Sequence, residues 1–155
     1  MANPAPSFKF KTTVRVLYSK LTDCANSLRE ANVEGIPAEL FVNMGAGIIE
    51  NTNEIKMIST FIETSNLYWD LFKSRDQDCL IEHVSTVFPI VPPGLINSIL
   101  TAKDSRGVVI ISKQMHDYIW KCLEYLVMFA IDHIVLHPQL YPQINLEHHR
   151  QTWKR

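Results

Sequence analysis

The chain has 155 residues, the size of one ordinary domain, with room for a core that needs no staples. Hydrophobic residues make up 46% and charged residues 20%, a composition that excludes a disordered chain. With 15 basic and 16 acidic side chains the formal net charge is -1, so the chain lacks the basic surplus on which coating of nucleic acid or anionic lipid depends.

Residues 1–11 read as an N-terminal arm, because "NPAP" disfavours a helix start, with Phe8 and Phe10 as its anchors. Thr12 and Thr13 supply caps for a first helix. Val14, Leu17, Leu21, Cys24 and Leu28 recur three and four apart on its inner face, over about five turns. "VEGIP" ends that pattern, and Pro37 suits the first turn of a second helix continued by Leu40, Phe41, Met44 and Ile48. Gly45 and Gly47 each weaken it by roughly 1 kcal/mol relative to alanine, which predicts a close helix contact or a kink. "ENTNE" offers Asn or Thr caps for a third helix, whose wide stripe of Ile55, Ile58, Phe61, Ile62, Tyr68 and Phe72 runs on past Trp69 and Asp70.

Lys73 and Arg75 fall near the carboxyl end of that helix, where cations are favoured. Asp76 caps a fourth helix bearing Leu80, Ile81, Val84 and Val87, with Asp78 in its first turn. After "FPIVPPG", Pro92 and Pro93 open a short helix with Leu95, Ile96, Ile99 and Leu100. "DSRG" is turn chemistry and "VVII" reads as a short extended segment. Ser112 caps the strongest element, where Met115, Ile119, Cys122, Leu126, Phe129, His133 and Leu136 alternate steps of four and three. Tyr118, Leu123, Val127, Ala130 and Ile134 widen its apolar zone, which predicts a central helix covered on several sides. His137 and Pro138 stop it, leaving residues 138–155 as a tail with one short helix from Leu146.

The predicted fold is therefore all-α: a single-domain bundle of five or six helices over residues 12–137, around a central helix at 113–136. Its core takes Leu17, Leu21, Leu28, Phe61, Ile62, Leu80, Val84, Ile119, Leu123, Leu126, Phe129 and Ile134. Cys24, Cys79 and Cys122 all lie in apolar helical patterns and predict reduced, intracellular thiols. "MANPAPSFKFK" has no apolar core of signal-peptide length, and "YLVMFAIDHIVL" is broken by Asp132 and His133 and is too short for a bilayer span.

Chemistry-bearing constellations are sparse. His133 and His137 stand four apart on one helix, a spacing at which two imidazoles can share a metal, with Asp132 and His148 or His149 as further ligands. Two ligands make a weak motif, and the structural alternative is a core His133 with His137 at a helix carboxyl end, so no metal is predicted. Cys79 and His83 can also meet on one helical face, but no third orienting group or oxyanion hole accompanies them. "GAG" at 45–47 lacks the Gly-Lys-Ser/Thr that a phosphate loop requires, and no cofactor is predicted. The expectation is a non-enzyme. The tail gathers His148, His149, Arg150, Trp153, Lys154 and Arg155, a basic and aromatic set that suits a partner protein or a phosphate backbone. A frayed, solvated terminus is the plain alternative.

The order "FIETSNLYWDLFKSRDQDCLIEH", "VFP", "ISKQMHDYIWKCLEYLVMFAIDHI" resembles a family of small helical proteins encoded by nucleocytoplasmic large DNA viruses. The landmarks are Tyr68, Trp69 and Asp70, then Arg75, Asp76 and Asp78, then Ile119 and Trp120, within a likeness over residues 12–136. That family offers no catalytic residues to transfer. The resemblance implies viral origin, an all-helical body and a non-enzymatic role in the virion or infected cell, with viral or host proteins as partners and self-association open. A second likeness, over residues 93–155, is to a histone fold, and it implies the alternative of a nucleic-acid-associated protein using the basic tail.

Overall fold

The computed structural model describes residues 4–36, 39–88, 91–92 and 94–154, with the side chains of 39–43 left aside. Pro37, Pro93 and Arg155, and the side chains of Leu40 and Phe41, lie outside the described residues. Eight α-helical segments occur among those described: α1 (Pro6–Glu30), α2 (Glu39–Asn51), α3 (Glu54–Ser65), α4 (Trp69–Lys73), α5 (Gln77–Val87), α6 (Leu95–Thr101), α7 (Lys113–Leu136) and α8 (Leu146–Thr152). The single β feature among these residues is an isolated bridge between Lys103 and Val109. None of the described helices is long and apolar enough to cross a membrane.

The first helix starts earlier than its prolines suggest. Pro6 occupies N1, where the missing N–H is an orphan donor in any case and the fixed φ already suits a helix. The expected arm is thus largely the first turn and a half of α1, and Phe10 is buried in the core against Phe61, ring centroids 5.0 Å apart. Thr12 and Thr13 lie inside the helix rather than at its cap, and Thr13 donates to the Lys9 carbonyl. At the other end Asn32 takes a left-handed φ of 61°, and the Val33 amide bonds back to the Leu28 carbonyl, closing a Schellman-type stop.

In α2 the inward face is one step away from the expected stripe. Ile49 is buried while Met44 and Ile48 are exposed. The close contact that Gly45 predicted sets this register: a Cβ there would meet the Tyr18 Oη at 2.0 Å, so glycine at 45 admits the α1 tyrosine, and Ile49 follows one turn later on the same face.

The stripe read as one long third helix is two helices joined by a 3₁₀ turn, Asn66–Tyr68. Ser65 (Oγ) donates to the Phe61 carbonyl and Asn66 (Nδ2) to the Ile62 carbonyl at 2.9 Å, so both side chains compete for the backbone acceptors that α3 needs to continue. The break re-aims Trp69 into the interior, where it is fully buried and donates Nε1–H to Ser65 Oγ at 2.9 Å. This split, together with the short α8, raises the helix count above the five or six expected.

Caps elsewhere match the sequence signals: Asn53 accepts from Ile55 and Lys56, Asp76 from Cys79, and Ser112 from Met115. α6 begins at Leu95, after Gly94 has turned the chain at φ 90°. Lys73 and Arg75 do more than face a helix end. Arg75, with φ 56°, sits past α4 and reaches Asp117 at 2.6 Å and Glu124 at 3.2 Å on α7. These are solvent-exposed or half-exposed pairs, screened by water, and add little to stability.

α7 spans the expected residues and is the hub, packing on α1, α3, α4 and α8. Lys9 Nζ lies over the Phe129 ring and Lys20 Nζ over the Tyr118 ring, so α1 and α7 run antiparallel. The expected core residues are buried except Phe129, which is half-buried and stacks on Tyr125 at the surface. Replacing Ser65 with alanine strands the buried Trp69 N–H, and a loss of about 1–3 kcal/mol is expected in a denaturant titration of S65A, with the helical signal kept.

Candidate functional site

The tail folds back. Pro138–Leu140 turn the chain, and Tyr141 enters the core, its Oη within 3.0 Å of His133 Nε2 and 2.7 Å of Ser59 Oγ. Asn145 caps α8 by accepting from the His148 amide. His149 on α8 and Trp153 at its carboxyl cap, four residues apart, are both buried. His149 lies 4.7 Å from the Trp69 ring, and Lys73 Nζ sits 4.9 Å above the Trp153 ring. Burying two amphipathic rings outweighs leaving them in solvent, which is why the expected contact surface is in part a docking face within the chain.

Of the six tail residues singled out for partner binding, Arg150 and Lys154 are exposed, Arg155 lies outside the described residues, and His149 and Trp153 are inside. His148 is half-exposed but engaged, with Nε2 at 2.7 Å from Asp70 Oδ2 on α4. A nucleic-acid grip by the tail therefore lacks its stacking tryptophan.

Among the described residues, the histidine pair on α7 does not converge with the tail histidines on one set of donor atoms. The His133 and His137 rings are 4.8 Å apart, but His133 is buried and its Nε2 is shared with Tyr141. Among the described residues, the group of three or more potential ligands that does converge is Asp70, His148 and His149, whose donor atoms all lie within 4.8 Å of one another. His149 Nδ1 and Trp153 Nε1 are buried there with no hydrogen-bond partner among those residues.

The thiols are poorly placed for chemistry. Burial pushes the Cys79 thiol above its ordinary value and Asp76 and Glu82 push it further, the opposite of what a nucleophile needs. His83 stacks on Tyr68 at 4.1 Å. Cys24 is pushed up to about 11, mainly by burial.

A different surface carries exposed aromatic area. Tyr118 and Tyr125, seven residues apart on one face of α7, are 41% and 51% exposed, and Tyr125 stacks on Phe129. On α1, Lys9 and Lys20 flank the row through their ring contacts, and Val16, between them in sequence, is partly exposed. Isolated exposed tyrosines escape notice in a sequence, because this row requires α1 to be laid antiparallel beside α7. No family model, no curated protein and no solved structure matches the chain.

Burial also fixes a pH dependence. Desolvation lowers the pKa of His133, helped by His137, and lowers that of His149, helped by His148 and opposed by Asp70. The unfolded chain thus binds these protons more readily than the folded one. The associated stability is complete above the ordinary value of 6.5 and is lost as the pH falls below it. The melting temperature should drop between about pH 7 and about pH 5, and His133→Gln should flatten that drop; an equal drop in the variant contradicts this origin.

Proposed function

We propose that this chain is a non-enzymatic structural or interaction protein of a large DNA virus, a minor component of the virion, that docks another protein on the α1–α7 face. The observation that carries the reading is the row of exposed Tyr118 and Tyr125 and half-buried Phe129 with a lysine at each end. Tyrosine offers large contact area with few torsions to freeze, and it is enriched where interfaces concentrate their energy. The landmarks Tyr68-Trp69-Asp70, Arg75-Asp76 and Ile119-Trp120 support the viral origin.

Two further features support a non-enzymatic role. The three thiols are buried, with pKa values raised by desolvation. An apolar groove of about 250 Å³ bordered by Phe10, Ile49, Met57 and Phe61 has Lys56 as the one ionisable group among its described lining, so it offers no acid–base pair.

The test is the protein composition of purified particles. The wild-type chain should be present, and a Tyr118→Lys/Tyr125→Lys variant should fold with an unchanged helical spectrum yet fall at least about tenfold in particles, the scale of losing an interface hot spot. Absence of the wild-type chain from late particles contradicts the virion assignment. Undiminished incorporation of the variant contradicts the docking face.

A further inference from the structure

The convergence of Asp70, His148 and His149 joins positions 78 residues apart through two helices, α4 of 5 residues and α8 of 7. Helices this short do not hold themselves together in water and depend on what pins them. Between α4 and α8 the chain places the Trp69–His149 ring contact, Lys73 Nζ over the Trp153 ring and one exposed hydrogen bond, His148 to Asp70, beside a His149 ring that is 7% exposed and has an unpartnered buried Nδ1. A buried imidazole nitrogen that has lost water and gained nothing is costly.

We propose that Asp70, His148 and His149 bind one divalent transition-metal ion of the zinc class, which staples α8 to α4. Two imidazoles and one carboxylate are a donor set for such ions and not for calcium or magnesium, which take oxygen ligands. Bond lengths of about 2.0–2.2 Å in tetrahedral geometry put donors about 3.3 Å apart. The three donors already lie within 4.8 Å, so rotation of the half-exposed Asp70 and His148 side chains closes the set around the ion. Water completes the coordination at the exposed side. The Trp69 ring, 4.7 Å from the His149 ring, holds the buried imidazole in place, the orienting role that outer-shell groups play around metals. Lys73, one turn after Asp70, has its ammonium over the Trp153 ring, which leaves the Asp70 carboxylate to the histidines. The site is independent of the docking face on α1 and α7.

The experiment is calorimetric titration of the full chain, stripped with a chelator, with zinc chloride alone near neutral pH, in parallel with D70N, H148A and H137A. Wild type should bind one ion per chain and melt about 5–10 °C higher at free zinc about 100 times Kd. D70N and H148A, both at half-exposed positions, should bind at least about tenfold more weakly while melting within about 2 °C of wild type without metal. H137A should bind as wild type does. No binding at about 1 mM zinc, undiminished binding in D70N and H148A, or a loss confined to H137A would each overturn the assignment.

Discussion

The apolar girth of α7 is the constraint around which the rest is arranged. Ile119, Trp120, Leu123, Leu126, Val127, Ala130, Ile131 and Ile134 are all buried and together cover more of the helix circumference than one neighbour can hide. Each large aliphatic side chain among them contributes about 1.5–3 kcal/mol by leaving water. The molecule answers with α1 laid antiparallel along one side and with α3, α4 and α8 closing others. α1 can do this over its full length because its own buried positions, from Phe10 to Leu28, keep a spacing of three and four.

Two consequences follow for the ends of the chain. The N-terminus is recruited into α1 as early as Pro6, since Phe10 is needed against Phe61 and Ser7 reaches Glu54. The C-terminal segment returns to cover the remaining flank, burying the polar aromatics Tyr141, His149 and Trp153 with the partly buried Ile144 and Leu146 beside them. His149 Nδ1 and Trp153 Nε1 are brought into the interior with no hydrogen-bond partner among the described residues. The polar cost of this return is what makes the α4–α8 contact chemically distinct from the rest of the core.

The parts of the fold legible in the sequence are those set by local signals. Ser112 before a long periodic run and Pro138 after it define α7 without reference to any neighbour, and Asp76 does the same for the start of α5. What escaped is non-local or depends on a side chain competing with the backbone. The α3–α4 break hinges on Ser65 and Asn66 bonding to carbonyls one turn back, while the apolar stripe continues through it and looks like a single helix. The helical start at Pro6 is hidden in the sequence because proline stops a helix in its interior but serves one at N1. In the site, His148 and His149 were visible as residues but not as neighbours of Asp70. An Asn145 cap followed by His149 and Trp153 four apart was the available signal that α8 has a buried face.

Native-state hydrogen exchange measures the central claim most directly. Amides in the middle of α7, from Leu123 to Ala130, should be the slowest in the chain, opening with the full unfolding free energy together with the facing part of α1. If they exchange as fast as the amides of α2 or α8, α7 is not the element on which the fold is built.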